Sequence, residues 1–321
     1  MKQFVVLLLL AAGLLRAAEL LRLEDSLDAM GTTFIVIAYA DDQQVLEQGM
    51  EAAFAEAKRV DGMLSNYRPE SELSRVNREA GQEPVRVSPE LFDLLEYCAG
   101  ISRQSEGTFD ISVGPLMRVW GFFRGTGHLP SKAQVTAALG KVGMGKVVLD
   151  RRNRTVRFLT PGMDLDPGGV GKGYAVDRMV DRLKAQGIQS AMISAGSSSI
   201  YGLGAPPHDT GWTVKIRHPR SYRQTVAEVK LTNESLSTSG DYEKFFEAEG
   251  RIYSHIMDPR TGYPASGVLS VSVMAPQTIT SEVWTKPFFI LGRDWAAKNK
   301  PKGLRVFLCE DQTKLACAWL Q

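Results

Sequence analysis

Leu46, Met50, Ala53, Phe54, Ala57, Val60 and Leu64 recur at three- to four-residue spacing, which predicts a helix over Gln43–Asn66. The same period carries a second helix over Pro89–Ser105, where Leu91, Leu94, Leu95, Cys98 and Ile101 share a stripe. Shorter helices are expected over Ser131–Leu139, Gly171–Gln186 and Ile279–Leu291. Between them the apolar positions alternate or bunch into short runs, as in strands. Leu21–Tyr39 reads as a strand with a kink at Met30-Gly31-Thr32-Thr33. Lys146–Leu149 and Thr155–Leu159 read as a hairpin around Arg152-Asn153, and Gln189–Ser194, Thr213–Arg217 and Leu269–Met274 as strands. Val226–Leu231 is expected to pair with Leu236-Ser237, and Leu304–Leu308 with Leu315–Leu320. Helices grouped among hairpin-linked strands predict an α+β fold rather than a doubly wound parallel sheet.

The first residues depart from this pattern. A short basic start, Met1-Lys2-Gln3, precedes the apolar run Phe4–Leu15 and then Arg16-Ala17-Ala18-Glu19. Residues 1–18 read as a secretory signal peptide, with Arg16 an imperfection in the small-residue cleavage site. The run is shorter than the roughly 20 residues a membrane span needs. Residues 19–321 read as one unit, because no clean linker or repeat interrupts them. The chain has 321 residues, 44% hydrophobic and 23% charged, enough for a large core. A net charge of +2, with no Lys/Arg run, argues against a nucleic-acid partner. Three cysteines in an exported chain leave at least one thiol unpaired, and Cys309 and Cys317 are a candidate bridge between two C-terminal strands.

Chemistry concentrates in a few stretches. Ser237–Pro264 joins a small-residue turn, an acidic-aromatic patch, His255 and the turn Asp258–Gly262. Arg251–Met257 alternates like a strand, so His255 arrives at a strand end beside a tight turn, where ligand groups often sit. A surface hairpin with an incidental His is the plainer alternative. Asp164–Asp177 runs from a strand end through glycines into a helix. Free N–H groups at such a helix start bind phosphate, and Lys172 adds a cation. Neither a Walker loop nor a dinucleotide fingerprint fits the spacing, and a tight turn that merely starts a helix is the alternative. Ser194–Ser199 offers a second, weaker backbone cradle. Asp110 lies between a helix end and a turn, as a ligand group or a cap. Tyr67 is an exposed aromatic beside polar groups, and Ser71 nearby suits a capping box.

Taken in order, Met30-Gly31-Thr32, Leu64–Asn77, Phe109–Leu116, Asp166–Asp177, Thr238–Phe246 and Tyr253–Pro264 resemble the ApbE family of FAD:protein FMN transferases, over roughly residues 28–293. The resemblance implies an α+β fold, FAD as cofactor-substrate, a need for Mg2+, and transfer of FMN onto a Thr or Ser hydroxyl of a partner protein with release of AMP. It implies FAD contacts at Met30, Tyr67, Thr108, Phe109, Asp110, Asp166, Lys172, Asp177 and Thr238. It places His255, with Asp258, near the reacting phosphate. It implies metal ligands at the Gly169 carbonyl and in the run Ser281–Lys286, through Glu282 and Thr285. Family acceptors are exported or membrane redox proteins, which with the leader implies a periplasmic location or attachment to the outer face of the cytoplasmic membrane.

That run departs from the family. Where the family carries Ala-Asp-Ala-Leu-Ser-Thr, this chain has Ser281-Glu282-Val283-Trp284-Thr285-Lys286. Lys286 stands where a Thr ligand is expected, and an ammonium has three donors and no acceptor. Three outcomes are open: Thr285 shifts into the site, the Lys286 charge replaces part of the metal's, or catalysis is lost. Alternatives to the transferase are therefore an FAD-binding or flavin-storage protein, and a metal-dependent FAD pyrophosphatase.

Overall fold

Leu21–Ala40 folds as a hairpin rather than one kinked strand. Met30 (φ 53°) and Gly31 (φ 68°) both take left-handed conformations, and Ala29 pairs with Thr32 across them. Two central residues at positive φ make the tight turn whose twist matches the flanking strands. In this computed structural model, residues 20–125, 127–311 and 315–321 are described. The predicted leader, 1–18, lies outside them.

The central sheet runs in the order Leu21–Ala29, Thr32–Ala40, Ser190–Ala195, Ser199–Leu203, Glu234–Gly240, Val268–Ala275, Arg305–Glu310 and Ala316–Trp319, with every neighbour antiparallel. On one face, helix Gln43–Leu64 packs against helix Gly171–Ala185, which packs against helix Thr278–Asn299. The main core lies between these helices and the sheet. The other face is covered by a separate ribbon, Trp212–His218 paired with Ser221–Leu231, which turns Trp212, Val214 and Ile216 onto Leu236, Met274 and Phe307. Helices on one face and antiparallel strands throughout make the fold α+β, as expected from the pattern.

The expected pairing of Val226–Leu231 with Leu236-Ser237 is not formed. Glu234–Gly240 is buried on both faces, so it sits inside the sheet between Ser199–Leu203 and Val268–Ala275. The alternating Trp212–His218 takes Ser221–Leu231 as its partner instead. The last helix continues to Asn299 past Leu291, across a break at Gly292 (φ 75°, ψ −174°). Glu72–Glu79 forms an unexpected short helix; Ser71 caps it by accepting from Ser74 N–H at 3.0 Å.

A small third cluster, built on Leu116, Trp120, Val135 and Met257, supports the region around His255. Trp120 donates its indole N–H to the Gly262 carbonyl at 2.9 Å and packs against Tyr253, 5.6 Å between ring centres. Cys309 and Cys317 face each other across the last two strands in a disulfide, and Cys98 is a buried free thiol. No helix among the described residues is long and apolar enough to cross a membrane.

Candidate active site

The glycine-rich stretch is shaped by close approaches. Asn77 holds Leu165 at both its N–H (2.8 Å) and its carbonyl (2.9 Å), and Asn66 donates to the same carbonyl at 3.0 Å. This fixes the chain entering the turn Pro167–Gly169. Helix Gly171–Ala185 then starts with no N-cap side chain, which leaves the Gly171 and Lys172 N–H groups for a ligand while Gly173 N–H goes to Glu282. Gly173 has no room for a side chain: a Cβ there would lie 2.6 Å from the Thr278 carbonyl oxygen and 2.9 Å from Glu282 Oε2. That proximity lets Gly173 N–H donate to Glu282 Oε2 at 2.6 Å.

These elements wall a cavity of about 580 Å³. Met30, Tyr67, Thr108, Phe109, Asp110 and Asp166 are among the residues that line it. Gly169, Lys172, Thr238, His255, Glu282, Thr285 and Lys286 line it too. Sequence reasoning thus brought together residues drawn from Met30 to Lys286. Tyr67 is 69% exposed and stacks on Phe123 at 4.8 Å between ring centres, a flat platform at the mouth. Asp166 accepts from Gly168 N–H at 2.8 Å, and burial raises its pKa despite that bond.

His255 lies one residue past strand Arg251–Ser254, which pairs with Phe245–Ala248. Its Nδ1 is 3.0 Å from the Lys244 carbonyl. A carbonyl only accepts, so Nδ1 carries the proton and Nε2 is the basic nitrogen. Burial lowers the imidazole to about 4, assisted by the charges of Lys286, Lys172 and Lys244, so the ring is neutral at pH 7.

Glu282 and Thr285 are buried at 2% and 0% exposure. Lys172 Nζ lies 3.5 Å from Glu282 Oε1, and Lys286 Nζ donates to the Glu282 carbonyl at 3.2 Å. Thr285 Oγ1 donates to that carbonyl at 2.6 Å and accepts from Ser239 at 2.7 Å. Burial pulls Lys286 down to about 8, opposed by Glu282, so it carries its charge at pH 7.

Three expected site residues have other work. Asp177 does not line the cavity: it accepts from Thr278 and Ile279 N–H at 2.7 and 2.8 Å and caps the last helix. Asp258 is also outside the lining, because Arg260 takes both its oxygens at 3.0 and 2.9 Å and its own N–H adds a third bond at 2.9 Å. Asp110 lines the cavity, yet its carboxylate is held by Ser112 and Met144 N–H, both at 2.8 Å, so the capping alternative is the one realised. Sequence reasoning missed Lys244 and Phe123 in the lining, and nothing in their local pattern marks them. It also missed a hydroxyl ladder: Ser235 and Ser237 both bond Ser281, at 2.9 and 2.7 Å, while Ser239 bonds Thr285. Its signal was legible as serines two apart on a strand facing hydroxyls four apart on a helix.

Residues 30–308 match the model of the ApbE family. The chain belongs to the ApbE family. Relatives include the FAD:protein FMN transferases of Klebsiella pneumoniae, 32% identical over 82% of this chain and 80% of the relative, and of Salmonella typhimurium, 32% identical over 81% and 76%. Among solved ApbE structures, the ApbE protein of Thermotoga maritima superposes with a TM-score of 0.84 at 27% identity, covering 93% of this chain and 96% of that one. The apo flavinyl transferase ApbE of Pseudomonas stutzeri gives 0.82 at 27% identity, covering 94% and 95%.

Proposed function

We propose that this chain is an FAD:protein FMN transferase, moving FMN from FAD onto a Thr or Ser hydroxyl of a partner protein and releasing AMP. One observation carries the reading: a neutral His255 shares a single cavity with the open helix start at Gly171 and the cations of Lys172 and Lys286. In the step proposed, the acceptor hydroxyl oxygen attacks the FMN phosphorus. A new P–O bond forms, the bridging P–O bond breaks, and AMP leaves. His255 Nε2 takes the hydroxyl proton, which needs an unprotonated ring. Phosphoryl-type transfer otherwise depends on positioning and charge neutralisation. The helix start and Lys172 hold the pyrophosphate, and the Tyr67–Phe123 platform offers a stacking face for a flat ring.

Magnesium, expected from the family, does not fit the residues present. Glu282 Oε1 accepts no hydrogen bond, but it faces the Lys172 ammonium, and the Lys286 ammonium bonds the backbone of Glu282 itself. No step is therefore routed through a metal. The leader read in residues 1–18 and the Cys309–Cys317 disulfide support export to an oxidising compartment, with an exported or membrane redox protein as acceptor.

The test is incubation of the purified chain with FAD and an acceptor domain bearing an exposed Thr. Flavin fluorescence on the acceptor band of a denaturing gel is expected, with His255→Ala lowering its rate about 100-fold. A flavin-storage protein, the reading Lys286 favours, would bind FAD and leave the acceptor dark. AMP release without acceptor would mark a pyrophosphatase.

A further inference from the structure

We infer that this chain neutralises the substrate pyrophosphate with the ammonium groups of Lys172 and Lys286 in place of a divalent cation. The inference rests on the transferase reading and deepens it.

Lys286 and Lys172 come from different helices and converge on one residue, Glu282: Lys172 on its carboxylate and Lys286 on its backbone carbonyl. Two ammonium groups and one carboxylate leave the trio one positive charge, beside the glycine turn. Lys286 reaches the turn directly: its Cε lies 3.4 Å from where a side chain on Gly169 would begin. One ammonium proton of Lys286 goes to the Glu282 carbonyl, which leaves two donors for substrate oxygens.

The oxygens around them are ordered for this arrangement and not for a metal. Glu282 Oε2 is held by Gly173 N–H, and Oε1 faces Lys172. The Thr285 hydroxyl already donates to one partner and accepts from another. Mg2+ demands near-octahedral oxygen ligation through carboxylates and phosphates. Here its one open carboxylate oxygen would set it beside the Lys172 ammonium, 3.5 Å from that oxygen, a like-charge contact that a cavity wall intensifies. Lysine is a compact point charge well suited to phosphate. Since phosphoryl transfer asks mainly for neutralised and positioned oxygens, two lysines supply what the metal would.

The experiment uses the full chain stripped with EDTA. FAD affinity is measured by flavin fluorescence in EDTA and in excess Mg2+, Mg2+ binding to the FAD-loaded protein by calorimetry, and transfer to the acceptor under both conditions. Equal FAD affinity, no calorimetric Mg2+ signal and equal transfer in EDTA and Mg2+ are expected. Lys286→Thr should cut transfer in EDTA about 100-fold, as removal of one charge-stabilising donor does, and recover part of it with Mg2+. Transfer by the wild-type chain that vanishes in EDTA and returns with Mg2+ overturns the inference, as does FAD affinity that requires Mg2+. An acceptor left dark under both conditions would sink the transferase reading alone. FAD affinity would still decide the role of the lysines: insensitivity to Mg2+, with a loss in Lys286→Met, supports it, and dependence on Mg2+ refutes it.

Discussion

Gly173→Ala puts one methyl group between the glycine-turn helix and the last helix. The new Cβ would sit 2.6 Å from the Thr278 carbonyl oxygen and 2.9 Å from Glu282 Oε2. The first is backbone in a helix start that Asp177 holds by two N–H bonds, so it cannot yield cheaply. The helices must separate, at about 1–3 kcal/mol for overpacking. Separation breaks the bond from Gly173 N–H to the buried Glu282 carboxylate, worth about 1.5–3 kcal/mol. Alanine's better helix propensity returns about 1 kcal/mol, for a net loss of about 1.5–5 kcal/mol. Urea denaturation reads that loss, and an FAD titration reads the displaced Glu282 and Lys172. Gly100→Ala is the control: it lies in helix Pro89–Gln104 with nothing within 4 Å of its would-be Cβ. It should stabilise by about 0.5–1 kcal/mol through propensity alone. If Gly173→Ala were as stable as Gly100→Ala and bound FAD normally, the close approach of the helices would not be what fixes glycine there.

His255 is lowered from 6.5 to about 4, so the unfolded chain takes up its proton first; its contribution to stability is whole above pH 6.5 and is lost as pH falls toward 4. Denaturation midpoints across that window should slope downward with falling pH, and His255→Gln should flatten part of the slope. Asp258→Ala removes the partner of Arg260 and nothing in the cavity, so FAD affinity should hold while stability drops by about 1 kcal/mol; abolished transfer in a folded variant would return Asp258 to the chemistry. Tyr67→Ala removes the exposed half of the Tyr67–Phe123 stack and should weaken FAD by about 1–2 kcal/mol, about 5- to 30-fold, in a fluorescence titration.

The parts of this fold with strong periodicity were legible in advance. Gln43–Leu64 and Pro89–Gln104 carry long amphipathic stripes, and the glycines of Asp164–Asp177 announce a turn at a helix start. Tertiary partnership was not legible. Glu234–Gly240 is mostly small and polar, so its central position in the sheet is set by serines that meet hydroxyls on the last helix, not by apolar alternation. Asp177 and Asp258 lie in the right stretches for a site, but a carboxylate's duty depends on which N–H groups or guanidinium the fold brings to it. Met30-Gly31 was read as a kink because a hairpin with two residues at its turn looks like one interrupted strand when both arms carry the same alternation.

The two outer strands of the central sheet are guarded by different means. Leu21–Ala29 displays Arg22, Glu24, Asp25 and Asp28 to solvent, and charges along an open edge discourage another chain from adding a strand. Ala316–Trp319 carries no charged residue and is instead fastened covalently to its neighbour through Cys309 and Cys317. One border therefore resists intermolecular pairing under any redox condition, though less in high salt. The other depends on oxidation: with both thiols reduced, that border is held by its strand hydrogen bonds and the Trp319–Phe307 contact alone, 5.1 Å between ring centres.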